Sequence, residues 1–229
     1  MYYEKHKKNK IGKCNICKKH GELSWDHVPP RALQLTPVQI TSIYNKVVGN
    51  GKPEISQNGL KYRTICSSCN NNVGTWYDSH LIEISKTITA FIETSLVLPE
   101  ELTIKIMPIK LIKSIIAHML TARLDFRENE FEDALRKSVI DFNEKIPEWV
   151  NLFYWIYPCQ TVKIVRSILL IDNFNDLNSL ANSSIIKFYP LGFLMTYSTT
   201  YKDKPSLTQY RDLAINDAVD LKINFDKYN

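Results

Sequence analysis

Four cysteines stand as two CxxC pairs, Cys14/Cys17 and Cys66/Cys69, with Asp26-His27 between them and Asn70 directly after the last cysteine. Paired thiolates at this spacing reach one metal ion from a tight turn, and two such pairs fill the tetrahedron of a structural zinc site. Closing that site draws Asp26, His27 and Asn70 toward one another from distant parts of the chain. Asp26 and Asn70 offer oxygen ligands suited to a hard cation such as Mg²⁺ or Mn²⁺. His27, whose ordinary pKa lies near neutrality, suits proton abstraction from water. A divalent ion and a base are the two parts that hydrolysis of a phosphodiester needs.

The elements that must position these residues can be read around them. Residues 11 to 25 suggest a zinc knuckle followed by a short strand, which Pro29-Pro30 ends because proline donates nothing to a ladder. Neighbours on a regular strand face opposite sides, so a shared site for Asp26 and His27 predicts a bend between them. Residues 31 to 58 form a long irregular insertion whose middle, Val38 to Val48, carries a weak helical signal. Leu60 to Ile65 alternates as a strand leading into the second cysteine pair. A helix is expected from Asn70 toward Ser95, with Leu81, Ile84, Ile88, Phe91 and Ile92 at helical spacing. Two strands, a knuckle and a helix make a ββα unit, and we place a domain over residues 1–98.

Residues 99–229 read as a second, α+β domain. A short strand over 99 to 107 precedes a helix that starts at Pro108 and continues to Leu124. A further helix spans Glu128 to Lys145. Strands follow at Leu152 to Tyr157, Thr161 to Ile171, Ile185 to Tyr189 and Phe193 to Tyr197. His118 is expected to be a hydrogen-bonded structural histidine within an apolar helix, and Cys159 a buried thiol. Dimerisation, target choice or regulation are the roles open to this region, and a homodimer would suit paired cuts.

Charge divides the chain. Residues 1 to 75 hold 12 Lys/Arg against 4 Asp/Glu, while residues 76 to 229 hold 17 against 20. A basic half that carries the zinc pattern attracts polyanions, chiefly through phosphate contacts that are blind to sequence. Arg31 and Arg63 are the arginines nearest the Asp-His and Cys-Asn motifs and are candidate phosphate contacts, though both also suit an ordinary surface. No run approaches the roughly 18 to 20 apolar residues of a membrane span. The basic N-terminus has no apolar segment behind it, so a cytoplasmic protein is expected, where CxxC pairs bind metal rather than form disulfides.

The string CNIC…WDHVPP…TICSSCNNNVG resembles the HNH, or ββα-metal, nuclease superfamily, and within it the recombination endonuclease VII type. That resemblance covers roughly residues 11 to 80. It implies structural Zn²⁺ on Cys14, Cys17, Cys66 and Cys69, a catalytic Mg²⁺ or Mn²⁺ on Asp26 and Asn70, and His27 as general base. It further implies cleavage of DNA more readily than RNA, in restriction, phage defence or a mobile element. Three departures stand out. Asn70 replaces the usual histidine of the second knuckle, no asparagine lies just before Cys66 to orient His27, and Val73 occupies the position of an acidic residue one helical turn after the metal asparagine. Asp78 or His80, two to three turns on, could supply that missing group.

The motifs also admit quieter roles. Asn70 is a favoured helix cap, and Trp25, Trp76 and Tyr77 suit a small core better than base stacking. A zinc ribbon that binds nucleic acid without cutting it is the principal alternative.

Overall fold

The first cysteine pair occupies the turn of a hairpin formed by β1 (Ile11–Lys13) and β2 (His20–Glu22), paired antiparallel in the register Gly12↔Gly21. Lys18 closes that turn in the left-handed region, with φ 64. The structure is a computed structural model and describes residues 10–34, 38–40, 54–94, 97–173, 176–197, 201 and 204–225.

Next comes β3 (Ser24–His27), paired antiparallel with β6 (Lys61–Ile65). The chain between them includes a second hairpin of β4 (Val38–Ile40) and β5 (Glu54–Ser56). The helical signal over Val38 to Val48 therefore fails at its start. Val38-Gln39-Ile40 alternates β-branched residues around a polar one, a pattern that suits a strand, while residues 41–50 lie outside the described chain. Gln34 holds the two ends of this excursion together. Its Nε2 donates to Pro29 O and Leu60 O, and its Oε1 accepts from Leu60 N. Gly59, at φ +74, leaves room for it, since a Cβ there would lie 1.6 Å from Gln34 Oε1.

The second cysteine pair opens a long helical stretch. It runs through α1 (Ser67–Val73), a π-helical segment Gly74–Asp78 and α2 (Ser79–Thr94). After β7 (Glu101–Ile106), Pro108 starts α3 (Pro108–Thr121), where its fixed φ and missing N–H cost nothing. Helix α4 (Glu130–Ile140) is capped by Asn129, whose side chain accepts from Glu132 N. An antiparallel sheet in the order β8-β11-β10-β9 follows, built from β8 (Val150–Ile156), β9 (Lys163–Asn173), β10 (Asp176–Phe188) and β11 (Leu191–Tyr197). The last strand, β12 (Val219–Asn224), returns to pair with β7. The chain is thus mixed α+β.

One apolar cluster runs from Cys14 and Ile16 through α2 and α3 to Phe225. Polar contacts tie the knuckle to the helices beneath it. Buried Asn15 donates to Leu120 O and Arg123 O at the C-terminal end of α3, and Arg136 Nε donates to Asn15 O from α4. The two bonds from Asn15 add a donor at the end of the helix, where its own ladder runs out. Cys159 is exposed rather than buried, because it follows Pro158 in the connector between β8 and β9. No helix among the described residues is long and apolar enough to cross a membrane.

Candidate functional site

The sulfur atoms of Cys14, Cys17, Cys66 and Cys69 all lie within 4.8 Å of one another. Cys17 Sγ and Cys66 Sγ are 3.7 Å apart, against about 3.8 Å for the edge of a tetrahedron with 2.3 Å zinc–sulfur bonds. The backbone N–H groups of Ile16 and Cys66 point at Cys14 Sγ, at 3.4 and 3.3 Å. The Cys69 thiol bonded to Cys14, together with such N–H donors, pushes the Cys14 thiol down to about 5. Burial pushes Cys17 up. A cluster of this donor set and size is compatible with zinc.

Asn70 leaves the knuckle on the first turn of α1, and the fold carries it against β3. Its Nδ2 donates to Trp25 O at 3.1 Å and Ser24 Oγ at 3.3 Å. The β3–β6 register shifts between Ser24↔Ile65 and Asp26↔Tyr62, so Trp25 has no partner residue on β6. The asparagine therefore braces the strand where its ladder is interrupted, just before Asp26-His27. Both described bonds use Nδ2, and Oδ1 is the atom left to act as a ligand.

The predicted bend between Asp26 and His27 is not there. The two pair consecutively, Asp26↔Tyr62 and His27↔Lys61, and the irregularity falls one residue earlier. As on any regular strand, the two side chains meet different surroundings.

Asp26 faces the helices. Its carboxylate accepts from the Thr121 hydroxyl and lies within electrostatic reach of His118 and Asp78. Burial, with the Asp78 charge adding to it, pushes the Asp26 carboxyl up to about 6. Asp78 Oδ1 in turn accepts from Ser114 Oγ at 2.7 Å and pairs with His118 Nε2 at 3.0 Å. Burial disfavours the charged imidazole of His118, but the carboxylates of Asp78 and Asp26 outweigh it, and its pKa rises.

His27 faces the other way. Its Nε2 lies 3.1 Å from Asn58 O; a carbonyl only accepts, so Nε2 carries the proton and Nδ1 holds the basic lone pair. The group that orients the His27 ring is thus the main chain of Asn58 rather than an asparagine just before Cys66. Burial lowers the His27 pKa, and the charges of Lys61 and Arg31 lower it further.

The remaining candidates separate. Arg31 is exposed beside His27. Arg63 donates from Nε to Leu23 O and lies over the Trp25 ring, 5.2 Å from its centroid. Trp25 is 45% exposed, where a core position was expected; Tyr77 is fully buried and Trp76 packs against it. Of the two late candidates, Asp78 is a charged neighbour of Asp26, whereas His80 has Lys110 and Glu83 as its charged neighbours. Eight residues separate Asn70 from Asp78, which on a continuous α-helix leaves them about 80° apart around the axis. The π segment takes up one extra residue and returns Asp78 to within about 20° of the Asn70 face.

Sequence reasoning missed Ser114, His118 and Thr121 as neighbours of this site. A signal was present: the three recur at i, i+4 and i+7 on α3, a polar stripe within a largely apolar buried helix. No protein-family model, curated protein or solved structure matches the chain.

Proposed function

We propose that the chain is a metal-dependent endonuclease of the HNH type, with DNA as the favoured substrate. The observation that carries this reading is the placement of Asn70. Gathering the cysteines seats it 3.1 Å from Trp25 O, one residue before Asp26, which has Asp78 and His118 as charged neighbours, and His27, which has Lys61 and Arg31. In this reading β3, β6 and α1 form the ββα unit.

The donor sets fit the two metals that the resemblance implies. Four thiols suit zinc. Asp26, Asn70 Oδ1 and Asp78 are hard oxygen donors, and the raised proton affinity of Asp26 marks a site where an added positive charge is favourable. A bound Mg²⁺ or Mn²⁺ there would supply charge stabilisation for the phosphoryl and leaving oxygens. His27 accepts the proton of the attacking water at Nδ1 while Asn58 O holds its ring. Its lowered pKa favours the neutral, basic form of the ring. Arg31 and Lys61 attract the phosphate to this side, and Arg63 with exposed Trp25 offers a cation and an aromatic ring beside it.

One observation favours the other reading, a zinc ribbon that binds nucleic acid without cutting. Asp26 and His27 share no described partner, and the amide of Asn70 is used as a brace. Plasmid cleavage by zinc-loaded protein separates the two. The nuclease predicts nicking or linearisation with Mg²⁺ or Mn²⁺, none in EDTA, and none in His27→Ala or Asn70→Ala variants that retain zinc and fold. Salt-sensitive binding with no cutting of duplex, single-stranded, branched or RNA substrates in any metal would establish the binding module instead.

A further inference from the structure

The most unusual group outside the residues that the motifs single out is His118. It lies on α3, well beyond the span of the resemblance, with its side chain 1% exposed. One ring nitrogen meets Asp78 Oδ1 at 3.0 Å, and the other, Nδ1, is buried with no hydrogen-bond partner. Asp78 also accepts from Ser114 Oγ at 2.7 Å, so two residues of α3 converge on one carboxylate oxygen. One turn further along α3, the Thr121 hydroxyl donates to Asp26. Thr121 is itself fixed, because its carbonyl accepts from Thr64 Oγ1 of β6.

This polar stripe is expensive. Two carboxylates and an imidazole are taken from water into the packed face of a helix, and apolar side chains of similar volume would usually be as stable or more so. Buried polar atoms are normally satisfied, and an orphaned one calls for an explanation. Outer-shell hydrogen bonds to a ligating carboxylate are a recurring way of orienting groups around a cation.

We propose that His118 and Ser114 are positioning residues that hold the Asp78 carboxylate for cation binding, making α3 part of the reaction centre. The inference rests on the nuclease reading for its role in catalysis, but its direct consequence is cation affinity. Without these two donors the Asp78 carboxylate would have several rotamers open to it. His118 and Ser114 together fix its Oδ1. With His118 removed, one of the two bonds is lost and the arrangement that receives the cation loosens.

The test is Mn²⁺ binding to zinc-loaded full-length protein, read by electron paramagnetic resonance of the free ion, in wild type, His118→Gln, Ser114→Ala and Ile115→Val. Glutamine is close to the ring in size but replaces its rigid donor with a flexible amide; Ile115 is a buried apolar neighbour on the same helix. The expected result is a loss of roughly tenfold or more in Mn²⁺ affinity for His118→Gln, a smaller loss for Ser114→Ala and none for Ile115→Val. The half-saturating Mn²⁺ for cleavage shifts by the same factors. Unchanged Mn²⁺ affinity in folded His118→Gln overturns the proposal, and so does a wild type that binds no Mn²⁺. Should His118→Gln fail to fold, Ser114→Ala decides by the same measure. A wild type that binds Mn²⁺ in a His118-dependent way yet cuts nothing sinks the nuclease reading and upholds the positioning role.

Discussion

Asp26 and His27 are neighbours on one strand, and their surroundings are opposites. Asp26 looks inward at a second acid, an imidazole and a hydroxyl, whereas His27 looks outward at a main-chain carbonyl, Lys61 and Arg31. Burial acts on both and favours the neutral form of each. Like charges then add to it: Asp78 raises the proton affinity of Asp26, and Lys61 and Arg31 lower that of His27. The lesson is that one strand can present a cation-seeking side and an anion-seeking side a single residue apart. The alternation that seemed to argue against a shared site is what keeps the two chemistries from neutralising each other.

The largest expected effect comes from breaking what both sides depend on. Cys69→Ser removes a sulfur from the cluster immediately before Asn70, the residue that braces β3. Structural zinc contributes on the order of 10 kcal/mol to the folding of small zinc domains, so the two knuckles are expected to open together. Hydrogen exchange should speed up across residues 11–27 and 61–73, and both Mn²⁺ binding and nucleic-acid cleavage should be lost. The β8–β11 sheet, built on its own antiparallel ladder, should stay protected. Protection that survives at the knuckles would show that the helices beneath hold them without metal.

Asp26→Asn tests the inward side alone. The native carboxyl has its pKa raised from 3.8 to about 6, so between about pH 4 and pH 6 the folded protein holds a proton that the unfolded chain has released. Stability therefore falls as pH rises through that window. Two units correspond to roughly 3 kcal/mol at neutral pH. Without added Mg²⁺ or Mn²⁺, Asp26→Asn is expected to be more stable than wild type at pH 7 by up to this amount, and the difference should vanish near pH 4. Added Mn²⁺ should raise the melting temperature of wild type and leave the variant unmoved. Chemical denaturation at the two pH values checks the sign, and a variant less stable at pH 7 would mean that the carboxylate is a net structural asset.

Much of the frame was legible in the chain. The CxxC spacing announced the four-sulfur cluster, and the strands and helices beyond residue 99 follow period-two and helical patterns that survive folding. What the chain could not announce was direction. A shared site for Asp26 and His27 calls for a bend between them, whereas the irregularity sits at Trp25, where β6 carries the extra residue and Asn70 donates to Trp25 O. Asp78 was weighed equally with His80 because helical spacing counted along an unbroken α-helix hides the residue absorbed by the π segment. His118 was set aside because a histidine among leucines and isoleucines is usually structural. Only with Ser114 and Thr121 at matching spacing does it read as a polar stripe, and only the fold shows that the stripe meets Asp26.

The smallest expected effect lies on the outward side, and it shows whether that side is tuned or merely basic. Lys61 stands opposite His27 in the strand register, and Arg31 follows directly on the prolines, at the start of a short 3-10 turn. Both hold the His27 pKa below its ordinary value, after burial. Because water activation needs the neutral ring, the acid limb of the cleavage-rate profile follows this pKa. Replacing Lys61 by Gln removes one repelling charge, so the limb should move to higher pH and the rate on the plateau should change little. The same substitution removes a candidate phosphate contact, which should flatten the dependence of binding on salt by about one phosphate. Arg31→Gln should act in the same two directions and, being exposed and the lesser of the two influences on His27, shift the limb less. A salt slope that changes while the acid limb stays in place would mean that Lys61 and Arg31 serve only to attract the backbone and that burial alone sets the base. A limb that moves with each charge would tie the outward electrostatics to His27 and place the base in the reaction.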